Sequence, residues 1–245
     1  FDGTGATVAV LDTGIDAQHP DVDDALRTSV SFVPGEEVTD RDGHGTHVAS
    51  TIVGSGEASD GTHVGVAPGA DLVVGKVLAD EGYGQDSWII AGMEWAATEA
   101  DADVVNMSLG DDERTDAENI LSISLDALSK KHDTLFVVAA GNSGGVGTIG
   151  APGTAESALT VAATDDADGL APFSSRGPRG LDDGLKPDLA APAWASPPPA
   201  RSTPRVPVRC APSAAHPWPH RTSPELRRSL PRSIRIGARC TSRMP

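Results

Sequence analysis

Three short stretches of the chain hold residue types that could move protons together: "LDTGID" with Asp12, "DGHGTHVAS" with His44, and "AAGNSG" with Asn142. A carboxylate can orient an imidazole and stabilise its charged form. The imidazole can take a proton and return it, and a side-chain amide can donate to a developing oxyanion. Each stretch also has a plainer reading. An Asp after an apolar run is commonly a turn or cap residue, and Gly-Asn is commonly a tight turn. His44 and His47, at i and i+3, could share a helical face as metal ligands. That reading lacks a third ligand at recognisable spacing and the glutamate of a zinc-peptidase helix, so no metal is assigned.

The elements that must position these residues are legible from apolar runs. Ala6–Gly14, Ala70–Leu78, Asp103–Gly110, Thr134–Asn142 and Ala158–Asp165 are continuous rather than alternating in their apolar content, as strands covered on both faces are. Between them, "GTHVASTIVG", "DSWIIAGMEWAATEA" and "NILSISLDALSKKH" repeat apolar residues at three and four positions. They predict helices, the second capped by Asp86 and the third by Asp116 or Asn119. Strand and helix in alternation predict an α/β fold: a three-layer parallel sheet with helices on both faces. In such sheets reactive groups gather at the carboxyl ends of strands, where Asp12 and Asn142 stand. Gly43 and Gly45 flank His44 at a helix start and allow close backbone approach.

Composition splits the chain in two. Residues 1–192 carry 34 Asp/Glu against 9 Lys/Arg, whereas residues 193–245 carry 1 Glu against 10 Arg. All the Lys lie in the first part; both Cys and 11 of 19 Pro lie in the second, so 1–192 reads as the domain and 193–245 as an irregular basic Pro/Arg-rich tail. Dense carboxylates with few Lys and few aromatics match a halophile-like surface, whose self-repulsion salt relieves. So acidic a body argues against nucleic acid as a partner. The cysteines, Cys210 and Cys240, give no disulfide framework in the domain. The sequence contains neither a signal peptide nor a long apolar span, so no membrane partner is expected and any leader is taken to have been removed.

Together the motifs resemble the subtilisin-like serine peptidases (subtilases, family S8), in their chain order Asp, His, Ser. "VAVLDTGID" resembles the aspartate motif, "DGHGTHVAS" the histidine motif and "AAGNSG" the oxyanion motif. "SLG" at Ser108–Gly110 is similar to the substrate-binding strand, and "FSSRGP" and "KPDLAAP" to the approach to the nucleophile. The likeness runs from about Gly3 to Pro192 and points to a member of halophilic-archaeon type. It implies His44 as general base, Asp12 as its orienting partner and Asn142 as oxyanion donor. It also implies that Ser108, Leu109 and Gly110 bind an extended substrate, with Gly150 at the floor of the pocket for the residue before the scissile bond, leaving room for a large apolar side chain. By family, the substrates would be proteins or peptides, the location extracellular and the state monomeric. Calcium, a stabiliser in that family, could be offered Asp21–Asp24 or Asp111–Glu113 but is left unassigned, and no cofactor is required.

The nucleophile motif, Gly-Thr-Ser-Met-Ala followed by Pro-His-Val-Ala-Gly, does not occur in the sequence. Ser196, Ser202, Ser213 and Ser223 stand in no such context, and Pro198, Pro199, Pro204, Pro207 and Pro212 would break the helix that should follow. The genetic code suggests a cause. In one permitted set of codons, Ala214–Ser229 read one base earlier spells Gly-Thr-Ser-Met-Ala, one free residue, then Pro-His-Val-Ala-Gly-Ala-Ala-Ala-Leu. Trp218 has a single codon, and its first two bases must complete the Met codon, as they do. The same shift turns "AWAS" after Pro192 into Gly-Val-Gly-Val. A displaced frame beginning at Pro192–Ala193 is therefore expected, leaving the fold incomplete at its C-terminus and the chain inactive as written. The other reading is a non-catalytic pseudo-peptidase, or peptide-binding module, with a disordered tail.

Overall fold

The computed structural model describes residues 1–111, 115–165 and 168–193. The tail expectation thus lies outside the described residues. Ala193 still belongs to the fold: it is buried, and its N–H donates to Thr164 O at 2.7 Å. Seven parallel strands form one sheet: β1 (Thr7–Asp12), β2 (Leu26–Ser31), β3 (Asp71–Lys76), β4 (Val104–Met107), β5 (Leu135–Ala139), β6 (Leu159–Thr164) and β7 (Leu189–Pro192). Their order is β2-β3-β1-β4-β5-β6-β7. Among the described residues three α-helices connect them: α1 (His44–Val53), α2 (Asp86–Thr98) and α3 (Ile120–His132).

Successive side chains of a strand point to opposite faces, so an unbroken apolar run feeds two cores. Val8, Val10, Leu72, Val74 and Val104 pack with Val48, Ala49, Ile52 and Val53 of α1. Their neighbours Ala9, Leu11, Val73, Val105 and Met107 pack on the other face with Met93 and Ala96 of α2 and Leu121 and Leu125 of α3. Gly92 lets α2 lie close to the sheet, since a Cβ there would stand 2.4 Å from Val77 Cγ1. The predicted three-layer architecture is present, with all five predicted strands and all three helices.

Two edge strands escaped the sequence reading. β2 is "LRTSVS", too polar for an apolar run because none of its residues is fully buried. β7 is four residues long and ends in Pro192, a residue tolerated where one side of the ladder is unpaired. The caps also differ in part. Asn119 caps α3, its Oδ1 accepting from Leu121 N at 2.9 Å. α2 begins at Asp86 itself after Gln85, without a side-chain cap, so that carboxylate sits in the first turn and acts on the helix dipole.

One charge inside the sheet was not anticipated. Lys76, at the end of β3, is fully buried, and its ammonium donates to Thr13 O (2.7 Å) and Asp80 Oδ1 (3.0 Å), with Glu36 Oε2 at 3.3 Å. Two hydrogen bonds and a second carboxylate thus surround the ammonium, which is what makes a buried lysine tolerable. Lys76→Met is expected to lower the unfolding free energy by about 2–3 kcal/mol in urea titration. This is the low end for a broken buried pair, because the stranded carboxylates are a quarter exposed. A loss below about 0.5 kcal/mol would mean the ammonium does not anchor the Thr13 turn.

Candidate active site

Asp12 ends β1, Ser108 follows β4, and Asn142 follows β5. The strand order sets β1, β4 and β5 side by side, so the three residues line one carboxyl edge of the sheet. Asp12 keeps the parity of Val8 and Val10, so its side chain points to the α1 face. There α1 begins with His44.

The structure joins these two residues across 32 positions of sequence: His44 Nδ1 lies 2.6 Å from Asp12 Oδ1. Asp12 is completely buried, while the His44 side chain is 17% exposed. The carboxylate is therefore sealed and the ring partly open. The same Asp12 Oδ1 accepts the N–H of Thr13 at 2.7 Å. An imidazole that donates Nδ1–H to a carboxylate keeps its Nε2 lone pair for an incoming proton. Burial works against a charged His44. The charge of Asp12, its hydrogen bond, and the charges of Asp40 and Asp42 outweigh it, so the pKa stands above the ordinary histidine value. Asp42 is itself held above the usual carboxylate range, by burial first and by like charge from Asp40 and Asp12, against the opposing pull of His44.

Asn142 sits on a turn made by Gly141, whose φ of 99° suits glycine. Ser175, from "FSSRGP", ties that turn down: its N–H donates to Gly141 O (2.9 Å) and its Oγ accepts Ser143 N–H (3.1 Å). Ser108 and Leu109 are buried, with Ser108 Oγ accepting from Asn106 Nδ2 at 2.9 Å. Gly110 is partly exposed and leads to Asp111, which exchanges two hydrogen bonds with Ala151: Asp111 N to Ala151 O (3.0 Å) and Ala151 N to Asp111 Oδ1 (3.1 Å). Gly150 is buried against this junction, where a Cβ would stand 2.1 Å from Asp111 O and 2.7 Å from its Oδ1. The wall facing Gly150 is thus polar main chain and carboxylate.

Among the described residues no group of three or more His, Cys, Asp or Glu could hold a metal. His44 of the i, i+3 pair already spends Nδ1 on Asp12. In the Asp21–Asp24 stretch the carboxylates do not converge. Asp21 is buried and turns inward, accepting Ala58 N–H at 2.9 Å, while Asp23 caps its neighbour Asp24. These carboxylates do not fit a calcium ion. Asp112 and Glu113 lie outside the described residues.

Three further residues belong to the site and were missed in the sequence: Thr13, Asp40 and Asp42. Asp40 lies two positions before the quoted histidine motif, and only its offset of four from a glycine-flanked His hinted at a helix-start partner.

The chain is similar to known proteins over most of its length. The subtilase family model matches residues 3–212. Subtilisin E of Bacillus subtilis (strain 168) is 41% identical over 184 residues, covering 72% of this chain and 45% of that protein. Subtilisin Savinase of Lederbergia lenta is 43% identical over 181 residues, covering 74% and 63%. The chain therefore spans about half to two thirds of these relatives. Among solved structures, sphericase superposes with a TM-score of 0.67 at 35% identity, over 79% of this chain and 67% of that one. A sealed carboxylate bonded to an imidazole thus stands at the carboxyl edge of a seven-stranded parallel sheet, and the chain belongs to the subtilase family of serine peptidases.

Proposed function

We propose that this is the domain of a secreted, halophile-type serine endopeptidase that hydrolyses protein or peptide substrates through an acyl-enzyme, written here in a displaced frame after Pro192. The observation that carries the reading is the 2.6 Å bond between His44 Nδ1 and the fully buried Asp12. In this reading His44 takes the proton of a serine hydroxyl and passes it to the leaving amine. Asp12 holds the tautomer and the imidazolium, and Asn142 donates to the oxyanion. Ser108–Gly110 pair the substrate backbone by strand addition, with Gly150 at the pocket for the residue before the scissile bond. No cofactor enters the reaction. The protein acts as a monomer, away from nucleic acid and membrane; among the described residues no helix is long and apolar enough to cross a membrane.

Sequencing the gene across the Pro192 codon tests the displaced frame: an uninterrupted Gly-Thr-Ser-Met-Ala codon run supports the enzyme. A tail confirmed as written favours the second reading, a non-catalytic peptide binder, which the missing motif itself recommends. A serine-reactive phosphonate that leaves the 245-residue chain unlabelled agrees with either reading. Labelling of that chain refutes the assignment of the nucleophile to the hidden frame.

The halophile reading rests on charge. Every non-glycine residue at positive φ among the described residues is an aspartate: Asp60, Asp101, Asp133, Asp168 and Asp183. Acidic residues thus occupy even turn positions that favour Gly or Asn. The unfolding midpoint is expected to rise steadily between about 0.1 and 3 M NaCl as self-repulsion is screened. A midpoint that falls over that range would discard the halophile assignment.

A further inference from the structure

Asp12 and His44 ride on different elements, so a 2.6 Å bond between them demands that the start of α1 be fixed against the loop leaving β1. The N-cap of α1 is Gly43, which offers no capping side chain. The free N–H groups of the first turn must find acceptors elsewhere. Gly45 N–H donates to Thr13 Oγ1 at 2.9 Å, and Thr46 N–H donates to Asp40 Oδ2 at 2.8 Å. The contact is close: a Cβ on Gly45 would stand 2.2 Å from Gly14 O and 3.3 Å from Asp12 Cβ.

Asp40 joins the two sides. Its Oδ1 accepts from Gly43 N (2.7 Å) and from Thr13 Oγ1 (2.9 Å). Its Oδ2 accepts from Thr46 N and from Thr46 Oγ1 (2.6 Å). Thr46 Oγ1 in turn accepts Asp16 N–H at 2.9 Å, returning the network to the β1 loop. Thr13, held this way, donates its N–H to the same Asp12 oxygen that His44 uses. We propose that Asp40 is a positioning residue for the Asp12–His44 pair, its carboxylate fastening the first turn of α1 to the loop that carries Asp12. The inference deepens the peptidase reading and rests on it.

The carboxylate is required, not merely polarity. Each oxygen faces a backbone N–H, Gly43 on one side and Thr46 on the other, and a backbone donor cannot reverse its role. An Asn amide would present NH2 to one of them in either orientation. Asp40→Asn therefore sets donor against donor and opens the start of α1, although it is nearly isosteric. The negative charge also lies at a helix N-terminus, where it is favoured, and close enough to His44 to favour the imidazolium.

The test is the His44 ring in the full 245-residue chain labelled with 15N-histidine. The parent should show a low-field Nδ1–H proton resonance that disappears in His44→Gln. Asp40→Asn should lose or broaden it and shift the imidazole titration to lower pH, with Asp12 and Asp42 the remaining carboxylates around the ring. Thr13→Val should weaken the resonance, and Thr13→Ser, which keeps the hydroxyl, should restore it. A folded Asp40→Asn protein with the parental resonance and titration would reduce Asp40 to a helix cap and overturn the proposal. If Asp40→Asn does not fold, an unchanged resonance in Thr13→Val overturns it equally. A parent without the resonance removes the Asp12–His44 pair and the proposal with it. A frame-restored protein that keeps the resonance but cleaves nothing would sink the peptidase reading alone.

Discussion

If the proposed displaced frame is correct, inserting one base at the Pro192 codon, so that the proposed Gly-Thr-Ser-Met-Ala segment is translated, is expected to raise peptide hydrolysis about 10^6-fold over the 245-residue chain. That factor is the loss already known for a subtilisin stripped of its serine, carried over here rather than obtained from this structure. The reason is mechanistic. His44 and Asp12 can polarise a hydroxyl, but without one at Nε2 no acyl-enzyme forms and their contribution vanishes. The residual rate would come from substrate binding and oxyanion donation alone. Initial rates on a chromogenic peptide, for the two proteins purified side by side, measure the ratio. Replacing the restored serine with Ala must return the rate to background. A restored protein that folds yet gains less than about tenfold would defeat the displaced-frame explanation.

The second large effect belongs to Asp12→Asn in the restored protein: kcat should fall about 10^4-fold while the fold persists. The Asn amide would donate to His44 Nδ1, forcing the ring's proton onto Nε2, where a base is needed. The pH dependence should move as well, and its sign is fixed. Acting as a base requires neutral His44, so the acid limb of the parental profile follows a pKa raised above the ordinary histidine value chiefly by Asp12 acting against burial. Without that charge the limb shifts to lower pH. Stability responds on the same side. The stabilisation from charged His44 beside Asp12 is complete below the unfolded histidine pKa of about 6.5 and is lost as pH rises through the raised folded value. Asp12→Asn should therefore cost stability in acid and little above that range. A kcat within tenfold of the parent, or an unmoved acid limb, would show that Asp12 does not serve His44.

Five strands were legible because each had to bury both faces, and a fully apolar run needs no partner to be recognised. β2 and β7 were not, since an edge strand with one exposed side can be polar or can end in proline. Lys76 stood in view within "LVVGKVL", and a single Lys in such a run should itself have signalled a paired buried cation. Its partners could not be named, because Glu36 and Asp80 reach it from separate loops. Gly150 shows the same limit: its identity was readable, but the Asp111 wall beside it exists only through the Asp111–Ala151 pairing.

What the order of residues determined by itself was chemical type and local conformation: which side chains could act, which runs became strands, and that a Gly-Thr-Ser-Met-Ala run is not among them. Tertiary structure alone decided that Asp12 and His44 meet, that the carboxylate is sealed while the ring stays partly open, and that Asp40 ties them together. The division has a physical cause. Periodicity and turn chemistry act over a few neighbouring residues, whereas a hydrogen bond spanning 32 positions depends on strand order and on a helix start seated against a loop.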